Sequence, residues 1–390
     1  MGQSEVSCLK IPLMSEDFNR LRLKYHGDAG KLHDILQREC RHKCGKKLAY
    51  TLKVLPHFVF PSVALAEMST SDEVAEVHSS MVKPGERILD MTAGLGIDSL
   101  HFAIKGCNVT SIELDENAAE VLCNNLSSYK NVQVIHGDSV EWLKESRQHF
   151  DTIFIDPARR DSSGRHFLFS QCSPDISKSL PDMIAHCDRI LVKASPMIDL
   201  KSAIRELGID GCNVIVIGNS RECKEVVFDI RKNRSDKTDI ECITIGRKRY
   251  SRCNTDPEPC NNYRIPITGN ILMQPYPAVM KGTGGNVGGY DKLHPFTHLY
   301  IADELDVSFP GQQYIIKDVL PFNKKNIRKF KNAYPKVNVV ARNFPLTAPE
   351  LAKKLKVQEG GDTMVFGATV YDGSRILVIT GEPISLQDSH

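Results

Sequence analysis

The chain has 390 residues, 41% hydrophobic and 25% charged, the make-up of a soluble globular protein of two or three domains. No apolar run approaches the roughly 18 residues that span a bilayer, and Met1 to Asn19 lack a basic start followed by an apolar block, so no membrane anchor or secretory leader is expected and a cytoplasmic location is. A net charge of +2 singles out no partner, and twelve cysteines without a repeated spacing are expected to be reduced, mostly buried thiols.

From Ser15 to about Val82, Phe18, Leu21, Tyr25, Leu32, Ile35 and Leu36 recur at three- and four-residue spacings, which predicts a mainly helical N-terminal region (1–82) interrupted at Pro56 and Pro61. Cys40 and Cys44, with His42 between them, have helical spacing but no second ligand pair, so no metal is expected. Pro84 and Gly85 mark the start of a new domain. Short apolar runs then alternate with helical stretches: Arg87–Met91, Val109–Glu113, Val132–Ile135, Thr152–Ile155, Ile190–Val192, Val214–Ile217 and a last run near Ile243. Strand alternating with helix predicts an α/β domain over 83–248, a Rossmann-like doubly wound sheet covered on both faces. Asn233 to Asn262 is polar and weakly periodic and reads as a connection, with the linker proper at 249–264.

Gly282–Gly289 carries five glycines without a following Lys-Ser/Thr pair, so a mobile surface loop is expected there rather than a phosphate cradle. The tail reads strand (Gln313–Val319), helix (Lys324–Ala333), strand (Val337–Ala341), helix (Pro349–Leu355) and a hairpin turning at Asp372-Gly373. Between Val319 and Gln358, ten lysines and arginines face the single acid Glu350, an excess of nine positive charges. This tail (319–390) is a basic module following a small α+β module over 265–318.

The first chemical signal is the run from Ile88 to Asp98. It couples a buried strand ending at Asp90 to the turn Thr92-Ala93-Gly94-Leu95-Gly96, in which Gly94 and Gly96 allow close approach of a ligand, and then to a helix start at Asp98 whose free N–H groups favour an anionic group. Glu113 ends the second strand, where a carboxylate can accept from both hydroxyls of a ribose. Gly137-Asp138 ends the third, where Asp138 can accept from an adenine amino group. For each acid the alternative is a solvated strand end or a helix cap. Their order favours an adenosine cofactor.

The second signal, Asp156-Pro157-Ala158-Arg159-Arg160-Asp161, lies at the end of the fourth strand, where open parallel sheets place their crevice. Dehydrogenases have no particular need of Asp-Pro there. Methyl transfer to a planar amine does. Asp156 can accept one N–H while a carbonyl near the stiff Pro157 accepts the other, aiming the nitrogen at the sulfonium methyl of S-adenosylmethionine. Arg159 and Arg160 can clamp a phosphate or stack on a base, or one of them can brace the loop through Asp161.

These residues resemble class I S-adenosylmethionine-dependent methyltransferases. Asp90–Asp98, Asp156–Asp161, Lys193-Ala194-Ser195-Pro196-Met197-Ile198-Asp199 after the fifth strand, and Glu222-Cys223-Lys224-Glu225, placed within the sixth, are similar to motifs of the THUMP-like-domain methyltransferases of Bacteroidetes and related bacteria. Leu65–Ala75 resembles that family's segment ahead of the sheet, with His78 and Ser79 where Tyr and Lys are expected. Pro277-Ala278-Val279-Met280-Lys281 and the basic tail resemble its ferredoxin-like and THUMP-like modules. The resemblance implies a transferase active in RNA modification and RNA binding, with structured ribosomal or transfer RNA as partner. The Thr-Ala-Gly-Leu-Gly-x-Asp run is also similar to an enzyme methylating a guanine exocyclic amine in ribosomal RNA, whose acceptor motif differs, so the target base does not carry over and the amine reading rests on Asp156-Pro157. The expected function is therefore methylation of an exocyclic amine of an RNA base. A protein or small-molecule acceptor, or a cofactor-binding scaffold without turnover, are the alternatives. Cysteine-dependent methylation of a ring carbon would need a nucleophile near the fifth strand, where Ala194-Ser195-Pro196 stand. Cys223, the nearest thiol, reads as a buried sheet-edge residue.

Overall fold

A computed structural model describes residues 17–159, 168–232, 238–247, 249–253 and 262–385. The chain divides into two compact units, one ending at Trp142 and one beginning at Leu143.

The first unit opens with the helices α1 (Phe18–Lys24), α2 (Ala29–Cys44), α3 (Ala49–Val54), α4 (Val63–Met68) and α5 (Asp72–Ser80). Asp17, Asp28 and Ser62 cap α1, α2 and α4 by accepting backbone N–H groups that have no partner within the helix. The helices bury Cys40, Cys44, Leu48, Phe58, Phe60, Ala66 and Ala75 in one cluster with Leu95 and Ile97, which come from the glycine turn. The N-terminal region is therefore the backing of that turn. Burial pushes the Cys40 thiol up to about 11 and raises that of Cys44, so both are protonated packing groups. Strands β1 (Arg87–Asp90), β2 (Asn108–Glu113) and β3 (Val132–His136) follow, with α6 (Ile97–Ile104) and α7 (Glu116–Leu126) between them and α8 (Ser139–Glu145) after them. The three strands run parallel, pairing Asp90 with Ser111 and Glu113 with His136. This register brings the C-terminal ends of all three to one edge.

In the second unit β4 (Phe150–Ile155) is followed by the short strands β5 (Ala158–Arg159) and β6 (Cys172–Ser173), then α9 (Ile176–His186), β7 (Cys187–Ala194), α10 (Leu200–Leu207), β8 (Asn213–Gly218), β9 (Cys223–Arg231), β10 (Asp239–Thr244) and β11 (Arg249–Cys253). Their hydrogen-bonded order is β4-β7-β9-β8-β10-β11, with β9 antiparallel to both β7 and β8. Here the structure corrects the sequence reading. Glu222–Glu225 does not lie within the sixth strand. That strand stops at Gly218, Asn219 accepts the N–H groups of Arg221 and Glu222 to close a turn, and Cys223–Arg231 returns as a separate reversed strand. The expected linker opens with β11, which pairs antiparallel with β10.

The remaining strands are β12 (Ile271–Pro275), β13 (Asp291–Lys292), β14 (Tyr300–Ala302), β15 (Gly311–Pro321), β16 (Lys336–Arg342), β17 (Gln358–Thr369) and β18 (Arg375–Thr380), with α11 (Pro277–Thr283), α12 (Lys324–Ala333) and α13 (Ala348–Leu355) between them. They form a sheet of order β13-β14-β12-β15-β18-β17-β16. Alternation sorts its core onto two faces. Phe366, Ala368, Ile376 and Val378 join Leu272, Tyr314 and Ile316 in one cluster, while Val365, Leu377 and Ile379 pack with Phe330 of α12 and Leu351 and Leu355 of α13 in the other. Strand β15 pairs first with β12 and then with β18, so it runs across the boundary expected at 318/319.

The glycine-rich stretch is only in part the surface loop expected, since Gly284, Gly288 and Gly289 are exposed while its other two glycines are packed. Gly282 lies in α11 against β10, where a Cβ would stand 2.5 Å from the Cys242 sulfur. The buried Gly285 offers its carbonyl to the Tyr300 hydroxyl and His298 Nδ1. These glycines serve close packing.

Candidate active site

In the first unit the turn after β1 is tied by its own polar groups. Asp90, 1% exposed, accepts the Thr92 N–H at 3.3 Å through Oδ1 and the Ser99 hydroxyl at 2.6 Å through Oδ2. The Ala93 N–H donates to the Ile112 carbonyl at 3.0 Å and the Gly94 N–H to Glu113 Oε2 at 2.7 Å, stitching the turn to the end of β2. Glu113 Oε1 accepts the Asp115 N–H at 2.9 Å, and the Glu113 carbonyl takes the Gly137 N–H at the same distance. Asp90, Thr92, Ala93, Gly94, Glu113 and Gly137 thus form one connected frame.

Two glycines in the turn have conformational reasons. Gly94 (φ +52°) and Gly96 (φ +78°) are left-handed, and a Cβ on Gly96 would stand 2.1 Å from Leu122 of α7. Above Gly94 there is room. A Cβ there would meet only the Thr92 carbonyl at 3.9 Å, and one on Gly137 would meet nothing within 4 Å.

The other two acids are hydrogen-bonded outside this frame. Asp138 is exposed and caps α8, its Oδ1 accepting from Val140 at 2.8 Å and Glu141 at 3.2 Å, the helix-cap alternative weighed for it. Asp98 is 8% exposed and accepts the Thr70 hydroxyl at 2.6 Å and meets the fully buried His78 Nδ1 at 2.7 Å. It fastens α6 to α5, and His78, whose place in the sequence pattern stood out, acquires a structural role. Asp72 reinforces the joint by accepting from Tyr50, Thr51 and His101.

In the second unit the predicted acceptor residue Asp156 follows β4 directly. Register determines its neighbour. Ile155 pairs with Val192, so the next residues, Asp156 and Lys193, are opposite each other, and Lys193 Nζ donates to Asp156 Oδ2 at 2.7 Å. Lys193 pairs in turn with Val227 of β9, which puts Glu225 on the same face two residues away, 3.4 Å from the ammonium. The side chains of Lys193 and Glu225 are 11% and 7% exposed, while that of Asp156 is 40% exposed. Two buried groups therefore brace one carboxylate that reaches solvent.

Pro157 is buried beside it, and the backbone of Arg159 pairs with Cys172 in β6. Arg160 and Asp161 lie outside the described residues, as does the side chain of Arg159.

The loop after β7 is held from another direction. Asp199 caps α10 by accepting the Ser202 N–H at 2.7 Å, a bond that holds its carboxyl below the usual range, and the Lys281 ammonium donates to the Ile198 carbonyl. Burial pushes Lys281 down from its ordinary value and Cys223 up to about 11. A thiol so placed is no ready nucleophile. Lys193, Glu225 and Lys281 all lie in motifs quoted above, yet no role followed from the sequence. The available signal was a charged residue set inside an otherwise apolar strand.

Among the described residues no group of three or more His, Cys, Asp and Glu side chains could hold a metal ion, and no helix is long and apolar enough to cross a membrane.

Residues 85–159 match the family model of the RNA cap guanine-N2 methyltransferases and residues 311–382 that of the THUMP-like domain. The chain is 37% identical over 84 residues to an uncharacterised RNA methyltransferase of Mycoplasma mobile, covering 21% of this chain and 23% of that protein. It is 33% identical over 89 residues to a ribosomal RNA small subunit methyltransferase J of a Shewanella species, covering 20% and 34%. The chain thus spans about a quarter to a third of the curated relatives it matches. A crystal structure from Porphyromonas gingivalis W83, of a protein classed as a methyltransferase, superposes with a TM-score of 0.80 over 94% of this chain and 95% of that one at 24% identity. The chain is thereby identified as a protein of the class I methyltransferase fold, with a Rossmann-like α/β sheet and a C-terminal THUMP-like domain.

Proposed function

We propose that this protein is an S-adenosylmethionine-dependent methyltransferase that modifies an exocyclic amine of an RNA base. The observation that carries the reading is Asp156, a partly exposed carboxylate at the end of β4, braced by two buried charged side chains. The matched family's name and those of the curated relatives support RNA as the substrate class, as does the basic tail.

The frame around Gly94 and Glu113 fits the cofactor. It combines an acceptor for ribose hydroxyls, the open space above Gly94 and Gly137, and the N–H groups at the start of α6 for a carboxylate. Asp90, Thr92, Ala93 and Gly96 shape this frame, Asp98 anchors it, and Asp138 is assigned to the adenine side. Bound S-adenosylmethionine supplies an electrophilic methyl group on a sulfonium. Asp156 accepts one N–H of the acceptor amine and Pro157 stiffens the loop that presents it. Methyl transfer from the bound cofactor would leave a neutral thioether and one surplus proton on the acceptor nitrogen. The surplus proton leaves along the hydrogen bond to the Asp156 carboxylate and from there to solvent. No new charge is created, so orientation contributes more than charge stabilisation. Arg159 and Arg160 are assigned to the RNA backbone or base. We assign catalysis to the Rossmann-like α/β domain and RNA docking to the C-terminal region from about Ile265 onward.

The test is radiolabel transfer by the full-length protein to total RNA and to total protein from cells that lack it. Label in RNA, lost by about a thousandfold in Asp156→Ala while cofactor affinity stays within a few fold, is the expected result. Label in protein alone would refute the RNA assignment, and near-normal turnover in Asp156→Ala would remove the amine-positioning role.

A further inference from the structure

We propose that Lys193 is a positioning residue for methyl transfer, its ammonium fixed between Glu225 and Asp156 so that it sets the direction in which the Asp156 carboxylate meets the acceptor nitrogen. The proposal rests on Asp156 as the amine acceptor and adds what aims it.

Three features set this cluster apart from a surface ion pair. The first is that each member comes from a different strand or strand end, and the register fixes all three: Asp156 opposite Lys193, and Glu225 diagonal to it across the reversed β9. The second is a gradient of exposure, in which the two braces are almost wholly buried and only Asp156 reaches solvent. A buried lysine between two carboxylates loses little orientational freedom when a substrate binds, so its hydrogen bond can hold one carboxylate plane. The third is that two other charged groups near this end of the strands are engaged elsewhere, Asp199 capping α10 and Lys281 donating to the Ile198 carbonyl, so that among the described residues of β7 and β9 it is Lys193, backed by Glu225, that meets Asp156.

A brace that fixes geometry has a consequence that mere packing would not produce. Its loss should lower turnover while RNA and cofactor still bind, and a replacement that keeps the charge should restore part of the rate.

The experiment uses full-length Lys193→Met, Lys193→Arg and Glu225→Gln proteins. In each, the carboxyl carbon resonance of Asp156 is recorded after selective isotope labelling, with Asp156→Asn providing the assignment, and kcat, KM for RNA and cofactor affinity are measured. Lys193→Met is expected to lower kcat by about 10–100-fold with KM and cofactor affinity within about threefold, and to displace the Asp156 resonance. Lys193→Arg should return the resonance toward its wild-type position while recovering only part of the rate, because its planar fork keeps the charge and changes the geometry. Glu225→Gln should lower kcat less than Lys193→Met, because the ammonium keeps its bond to Asp156. An Asp156 resonance unmoved in Lys193→Met, a rate in Lys193→Arg no better than in Lys193→Met, or a loss of turnover matched by a loss of cofactor affinity would each overturn the proposal. The resonance measurement needs no acceptor. A wild-type protein that labels no RNA therefore defeats the RNA reading alone, while the braced carboxylate is still judged by its resonance.

Discussion

The turn after β1 and the ends of β4, β7 and β9 solve the same problem, holding polar groups in a fixed geometry, by opposite means. In the turn the fastening is almost all backbone to carboxylate: Gly94 and Asp115 to Glu113, Thr92 to Asp90. At the strand ends it is side chain to side chain, with Lys193 between Asp156 and Glu225. Backbone donors cannot be mutated away, and a frame built on them tolerates little movement, which suits a cofactor of constant shape. Side-chain braces can be re-aimed by substitution, which suits an acceptor that differs among related enzymes.

The largest effect lies in a second charged cluster on the same two strands, which separates structural clamps from chemical ones. Arg189 at the start of β7 makes a two-pronged bond at 2.8 Å to Asp229 of β9, and Arg231 adds a third arm. The Asp229 side chain is 2% exposed. Burial works to raise its carboxyl, but the hydrogen bonds and charges of Arg189 and Arg231 outweigh it and hold the group below the ordinary range. Asp229→Asn is expected to cost about 3–5 kcal/mol of stability at neutral pH, because the largely buried Arg189 loses the carboxylate charge that faces it. Turnover per folded molecule should be unchanged. A carboxyl depressed on folding contributes its stability above its unfolded pKa of about 4 and loses it as the pH falls through the lower folded value. Wild-type protein should therefore lose stability more steeply than Asp229→Asn below about pH 4. Chemical denaturation at neutral and acid pH measures both, and equal midpoints for the two proteins at neutral pH would dissolve the distinction between the clusters.

A smaller effect is expected in the cofactor frame. Glu113→Ala removes the acceptor of the Gly94 N–H together with the one proposed for the ribose, so S-adenosylmethionine affinity should weaken by about 10–100-fold in calorimetry. Glu113→Gln sharpens this. Its amide can keep one accepted bond while its NH2 confronts the other backbone donor, so it should bind no better than the alanine variant if both oxygens are needed. Wild-type affinity in Glu113→Ala would remove Glu113 from the site.

The contrast between the regions also explains how far the sequence could be read. The turn from Asp90 to Asp98 is contiguous, its glycines mark left-handed positions, and Glu113 ends the very next strand, so local pattern suffices. Helix Lys324–Ala333 was equally plain, since Asn323 caps it and Phe330 anchors its apolar face. Lys193 and Glu225 are 32 positions apart and meet only because β9 reverses and inserts between β7 and β8. Nothing local announces this. Val226, Val227 and Phe228 read as apolar whether the strand runs up or down. Asp98 misled for a related reason. At a helix start an acid suits a cofactor loop or a structural joint equally well, and its partners Thr70 and His78 precede the sheet altogether. Gly285 reads as one more glycine of a surface loop because composition does not reveal that a histidine ring packs 2.2 Å from where its Cβ would stand.

The smallest effect concerns the tail, where most of the charge is exposed. Lys324, Lys325, Arg328 and Lys329 are exposed on α12, and Lys353, Lys354 and Lys356 are exposed in and after α13. Such groups contribute to binding by releasing counterions from a phosphate backbone, so their effect should be graded and salt-dependent rather than all-or-none. Reversing the four α12 charges to glutamate is expected to weaken binding of structured RNA by about tenfold or more at low salt and to make the dependence of affinity on salt shallower, with S-adenosylmethionine affinity unchanged. The mutations leave the apolar face of α12 intact, because Phe330 is the buried residue of that helix. Loss of folding is therefore not the expected route. Shortening the chain before Ile265 would be a poorer test, since it strips α11 from its packing against β10 and exposes the sheet that carries Lys193. If RNA affinity and its salt dependence survive the fourfold reversal, α12 is only a solvated face. The phosphate contacts would then have to come from other basic residues, and the docking assignment would move away from this helix.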